Sequence, residues 1–234
     1  MAPETIIEPT TRCRLILCMG PQAIENCDAA QLKDILNAGD VASVIFYPQD
    51  RDESVFQKAV EPLVPVVQSA GVAAIIADDT RTAGRVGADG LQLGQDPGEL
   101  TEAIEKFSPA LMVGAANVKT RHNALVLGEL QPDYLMFGKP GGDIRPEPHP
   151  KNLALGQWWS TMVEIPCIVL AGNAVESVVE AAQTGSEFVA LGHAIFAPND
   201  NAKIDKNHRS AAQRVQAANQ LLDEHAPPFE LLPE

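Results

Sequence analysis

Asp78 and Asp79 directly follow the apolar run Ala73–Ala77. A carboxylate at the end of a buried strand projects where it can meet a ligand, or it accepts amide hydrogen bonds as the cap of the next helix. Both uses are open for the pair. Two glycine-led pairs, Gly172-Asn173 and Gly192-His193, close two later apolar runs. Backbone amides at such strand ends often hold phosphate, and that contact requires no side chain. His193 therefore has two readings, a ligand contact through its ring or a contribution from its amide alone.

Those residues need a scaffold, and the patterning supplies one. Short β-rich runs alternate with helical stretches along the whole chain. The predicted strands are Arg14–Met19, Ala42–Tyr47, Ala73–Ala77, Gly90–Leu93, Leu111–Ala115, Tyr134–Gly138, Cys167–Ala171 and Phe188–Leu191. Helices are predicted near 22–38, 52–70, 80–87, 97–107, 119–130, 152–163, 174–185 and 207–224. Nearly continuous apolar strands that alternate with helices specify a parallel sheet covered by helices. Eight such units predict a single (β/α)8 TIM barrel over residues 1–234, with an open doubly wound sheet as the weaker alternative. Pro62 and Pro65 predict a kink or break in the second helical stretch, because proline removes a helix hydrogen bond.

An internal echo supports closure. Residues 87–94, 131–138 and 185–192 each place an acid (Asp89, Asp133, Glu187) before an apolar core and end it with a glycine (Gly94, Gly138, Gly192). They fall on the fourth, sixth and eighth strands, whose side chains share layers inside a barrel. The glycines mark the mouth, through ligand approach, tight turns, or both.

Composition narrows the function classes. A net charge of −14 argues against nucleic acid, which demands clustered Lys and Arg. The one basic stretch, Lys203 to Arg209, is interrupted by Asp205 and reads as a solvated loop or helix start. Cys13, Cys18, Cys27 and Cys167 form no CxxC pair and read as thiols in a reducing compartment. Met1 to Glu8 is polar and acidic, and no apolar run approaches the roughly 20 residues of a membrane span. The expectation is a cytoplasmic protein without membrane or nucleic-acid partners. The proline-rich tail over 227–234 cannot be regular helix.

Three segments carry a resemblance. Ile75-Ile76-Ala77-Asp78-Asp79, eight residues, then Ala88-Asp89-Gly90-Leu91-Gln92-Leu93-Gly94-Gln95 is similar to the third-to-fourth-strand signature of thiamine phosphate synthases. Ile165 to Asn173 resembles their seventh strand, and Gly185 to Ile195 their eighth strand and phosphate turn. The resemblance spans 12–196, leaving 197–226 for the last helix. It implies joining of hydroxymethylpyrimidine pyrophosphate to thiazole phosphate with loss of pyrophosphate. It also implies Mg2+ on Asp78, a small phosphorylated metabolite as partner, and a homo-oligomer. Magnesium suits one or two carboxylates supplemented by phosphate oxygens and water.

The pattern then departs. The second strand of the family carries Gln-x-Arg-x-Lys; here Ile45, Tyr47 and Gln49 stand at those places. Pro97 occupies the second metal-ligand position, one residue after Asp96, and Ala77 and Gln92 replace an asparagine and a histidine. The fifth-strand Gly-x-Ser-x-His becomes Gly114-Ala115-Ala116-Asn117-Val118, which keeps Gly114 as a substrate contact and loses the histidine of the TenI-type thiazole tautomerases. In the sixth loop, Lys139 and Arg145 are candidates to replace the lost cations, against the plain reading of surface charge; Arg51 is a third. No catalytic side chain is assigned. Three functions stay open: a synthase with a rebuilt pyrophosphate grip, a catalytically degenerate barrel binding a phosphorylated metabolite, or a new enzyme using Lys139, Asp143 and Arg145.

Overall fold

In the computed structural model, residues 11–197 and 210–229 are described. The acidic residues 1–8, the basic stretch 203–209 and the tail residues 230–234 lie outside them. Eight strands close in sequence order, each parallel to its neighbours, with β1 pairing to both β2 and β8. The strands are β1 Arg14–Met19, β2 Val41–Phe46, β3 Ala73–Ala77, β4 Gly90–Leu93, β5 Met112–Ala115, β6 Tyr134–Phe137, β7 Cys167–Leu170 and β8 Phe188–Leu191. This is the predicted TIM barrel.

The helices are α1 Pro21–Asn26, α2 Ala29–Leu36, α3 Glu53–Val60, α4 Val64–Ser69, α5 Thr80–Val86, α6 Pro97–Phe107, α7 Arg121–Gly128, α8 Pro150–Met162, α9 Val178–Ala182, α10 His193–Phe196 and α11 Ala211–His225. The expected helix over 22–38 is in fact two. Cys27, in extended backbone, ends α1, and Asp28 starts α2 through a capping box, its side chain accepting from Gln31 N at 2.8 Å while Gln31 Oε1 accepts from Asp28 N. The predicted break is present: Pro62 falls between α3 and α4, and Pro65 sits in the first turn of α4. The short α10 was not predicted; Arg214 of α11 holds it, donating from Nη1 to Ile195 O and Ala197 O at 3.1 and 2.6 Å.

Period-two alternation sorts each strand's side chains between two layers. Leu15, Leu17, Val44, Ile76, Leu135 and Val189 face the helices, while Ile16, Cys18, Ile45, Ile75, Met136 and Ile168 fill the interior. Five positions apart, Cys13 and Cys18 fall in opposite layers, and all four cysteines are free thiols.

The acids of the internal echo act on their neighbours. Asp89 accepts from Ala74 N at 2.8 Å, Asp133 from Val113 N at 2.6 Å, and Glu187 from Cys167 N at 2.8 Å. Each satisfies an amide near the start of the preceding strand, at the end of the barrel away from the mouth. Asp133→Ala would strand the buried Val113 amide and is expected to cost about 1–3 kcal/mol. Urea unfolding checks this as a lower midpoint at unchanged slope. Asp78→Asn, at the opposite end of the barrel, is expected to change stability by less than about 0.5 kcal/mol.

Candidate functional site

The two aspartates after β3 divide the work. Asp79 caps α5, its carboxylate accepting from Thr82 N at 2.8 Å and Thr82 Oγ1 at 2.6 Å. Asp78 sits in the left-handed region at φ 57°, its amide donating to Gln92 O at 2.8 Å, and its side chain turns to the mouth. Its carboxylate reaches solvent there, yet the surrounding wall crowds it. That desolvation raises its pKa; the Lys139 ammonium pulls it back down, and Glu99 pushes it up. Asp78 and Lys139 share a cavity of about 320 Å³ with Tyr47, Gln49, Gln92 and Asn117.

No group of three or more His, Cys, Asp or Glu side chains among the described residues could cage a metal. The donor set fits Mg2+ only in the mode of one or two carboxylates completed by substrate oxygens. Asp78 is the candidate, with Glu99 on the first turn of α6 as the nearby second charge. Asp96 is spent as the cap of α6, accepting from Glu99 N at 3.0 Å.

The floor of the mouth is apolar and neutral. Gln92 is buried and its Oε1 accepts from Tyr134 OH at 3.3 Å. The Tyr134 ring lies directly over Gly114, where an added Cβ would fall 2.3 Å from the ring. Gly114 is thus covered by the chain itself, and its small size accommodates a tyrosine. Tyr47 stands where the family has a cation, packed between Gly20 and Gly141. It separates the main cavity from a second hollow of about 200 Å³, which Cys18, Gln22, Gln49 and His193 also line. Burial raises the Tyr47 pKa, so the ring carries a hydroxyl. Arg51 is turned away, its guanidinium 2.6 Å from Glu25. A larger hollow of about 600 Å³ lies on the flank between α2, α10 and α11, away from Asp78 and Lys139.

The loop from Gly138 to His149 crosses the mouth. Gly138 adopts φ 124° against Leu170, a conformation that favours glycine. Lys139 enters the main cavity, while Arg145 is exposed. The amides expected to meet phosphate are engaged within the chain. Gly172 N donates to Ser177 Oγ at 2.9 Å, and Asn173 N donates to Arg145 O at 2.7 Å. Gly192 N and His193 N both donate to Asp143 Oδ2, at 3.2 and 2.6 Å. Asp143 Oδ1 lies 2.9 Å from His193 Nδ1. An orphan acceptor, Asn173 Oδ1, is buried beside this loop.

Glu99 and Tyr47 went unassigned in the sequence, and Asp143 was named only as part of a possible new site with Lys139 and Arg145. Glu99 carries a signal, an acid three residues after a capping aspartate. Tyr47 is visible only as the residue displacing a cation. The partners of Asp143 lie about fifty residues away and leave no local pattern.

Asp143 raises the His193 pKa above 6.5 by holding the imidazolium, and burial opposes it. A raised folded-state pKa contributes stability below the unfolded value that is lost as the pH rises through the folded one. NMR titration of His193 is expected to give a midpoint above 6.5, falling in Asp143→Asn. An unchanged midpoint in the variant would contradict the pairing.

Comparison with known proteins speaks for family and fold. The thiamine monophosphate synthase family model matches residues 15–195. A thiamine-phosphate synthase of Rhodospirillum centenum is 36% identical over 185 residues, covering 77% of this chain and 88% of that protein. One from Erythrobacter litoralis is 29% identical over 187 residues, covering 77% and 84%. Among solved structures, thiamine phosphate pyrophosphorylase from Pyrococcus furiosus superposes with a TM-score of 0.72 at 18% identity, covering 92% of this chain and 97% of that one, which speaks for the fold. With the family matched across the whole barrel, the chain belongs to the thiamine monophosphate synthase family.

Proposed function

We propose that this barrel catalyses a thiamine phosphate synthase-type alkyl transfer, joining hydroxymethylpyrimidine pyrophosphate to thiazole phosphate and releasing pyrophosphate. The observation that carries the reading is the meeting of Asp78 and Lys139 in one cavity at the mouth. The bond from the pyrimidine methylene carbon to pyrophosphate oxygen breaks, and that oxygen keeps the electron pair. The thiazole nitrogen then gives its lone pair to the same carbon, so no proton has to move. Mg2+, when bound, would neutralise charge on the departing pyrophosphate. Asp78 would hold it, and Lys139 would supply the cation that β2 lacks. Tyr134 and the apolar wall exclude water from the cationic carbon, and Gln92 offers a neutral hydrogen-bonding group beside it.

The expected reactants are water-soluble metabolites, which fits a cytoplasmic protein whose four cysteines are all unpaired. Among the described residues no helix is long and apolar enough to cross a membrane. The proposal treats 1–234 as one domain and keeps homo-oligomerisation as an expectation from the family. A barrel that binds without turnover is the second reading, favoured by the neutral Ile45 of β2, by the neutral Tyr47 and Gln49 just after it, and by the engagement of Arg51 with Glu25.

Incubation with the pyrimidine pyrophosphate, thiazole phosphate and Mg2+ is expected to yield thiamine phosphate with one pyrophosphate released per turnover. Asp78→Asn and Lys139→Met are each expected to lower kcat by about 100-fold or more. No product, beside an active control synthase in the same buffer, would overturn the reading in favour of the binding barrel.

A further inference from the structure

Lys139 sits on a loop that could not place it unaided. From Gly138 to His149 no residue is in a helix or a strand. Such a segment loses conformational entropy at every residue that is fixed, so its pose needs specific ties to the barrel. Between residues 141 and 147 the one buried residue is Asp143, while its neighbours Ile144 and Arg145 face solvent. This stretch of the loop is held inward by a carboxylate and not by an apolar side chain.

A carboxylate inside protein is costly unless donors surround it, and here two amides and an imidazole do so. Oδ2 accepts from Gly192 N and His193 N at 3.2 and 2.6 Å, and Oδ1 lies 2.9 Å from His193 Nδ1. In its imidazolium form His193 donates from Nδ1 and offsets the carboxylate charge. The side chain is fully buried, and a Cβ on Gly192 would stand 3.0 Å from Oδ2. Bonds to both oxygens fix the rotation of the carboxylate as well as its position, which an apolar contact would leave free. From that anchor to Lys139 is a single turn. Gly142 N donates to Lys139 O at 2.7 Å, and Gly141, at φ 77°, packs against the Tyr47 ring. On the other side of Asp143, Asn173 N donates to Arg145 O at 2.7 Å. Those two bonds join main-chain groups, so the side chain of Asp143 is what selects this pose of the turn.

We propose that Asp143 is a positioning residue, which fixes the β6–α8 loop on the end of β8 and through it holds Lys139 in the cavity that Asp78 lines. What Lys139 does in that cavity rests on the synthase reading. Two measurements keep the claims apart. Amide hydrogen exchange needs no ligand and reads the loop alone. In Asp143→Ala the Gly142 amide is expected to exchange about tenfold faster or more, while the Leu135 amide of β6 keeps its wild-type rate. Calorimetric titration of inorganic pyrophosphate with Mg2+ reads the cation. Asp143→Ala is expected to weaken binding about tenfold or more, and by less than about twofold when made in Lys139→Met, because its effect runs through Lys139. General damage to the fold would weaken both backgrounds alike. Asp143→Asn keeps an oxygen for the two amides and is expected to restore binding to within about threefold of wild type. Should Asp143→Ala fail to fold, Asp143→Ser puts a small polar group in the buried place and carries the same comparisons. Unchanged exchange at Gly142, no loss of pyrophosphate affinity, or equal losses in the two backgrounds would overturn the proposal. Wild type that binds no pyrophosphate would sink the synthase reading alone, leaving exchange at Gly142 to decide whether Asp143 fixes the loop.

Discussion

One buried carboxylate organises the mouth of this barrel. Asp143 cannot sit inside protein as an anion without donors, and the nearest set is the pair of amides after β8 with the ring of His193. Meeting that requirement draws the β6–α8 loop across the opening. With the loop in place, Lys139 faces Asp78, Gly141 receives the Tyr47 ring, and Pro146 O comes so near Gly172 that a Cβ there would lie 2.0 Å from it. The position of the cation and the division into two hollows follow from the same anchor.

The scaffold beneath depends on more distributed forces. Two apolar layers separated by strand alternation leave each strand's first amides needing acceptors, and Asp89, Asp133 and Glu187 provide them from the next strand. These acids sit at the opposite end of the sheet from Asp78, which is why one residue type serves stability at one end and ligand chemistry at the other. Burial and loop charge then set the state of the mouth: desolvation raises the Asp78 pKa and Lys139 restrains it.

Much of the fold was legible because it depends on local pattern. The run Arg14–Met19 and the acid-led runs at Gly90 and Phe188 specified strands to the residue, since apolar continuity and flanking turns agree there. The split after Asn26 was missed because the apolar periodicity continues across a break that only the Asp28–Gln31 capping box creates. The four-residue α10 has no periodicity of its own and relies on Arg214 from a distant helix. At the site, Asp78 stood out only through the family resemblance, since the residues alone leave both aspartates open to capping or to a ligand, and the capping bonds of Asp79 appear only in the fold. Lys139 was readable as a charge in a loop, although its orientation was not. The occupation of the β8 amides by Asp143 and of the Gly114 surface by Tyr134 are tertiary events, decided by residues 49 and 20 positions away.

The central claim is that Asp78 and Lys139 hold a pyrophosphate through a divalent metal. Titrating inorganic pyrophosphate into the protein with and without Mg2+ tests it most directly. The account predicts binding at least tenfold tighter with the metal, with the gain lost in Asp78→Asn. Equal affinity with and without Mg2+, or a gain that survives in the variant, would contradict it.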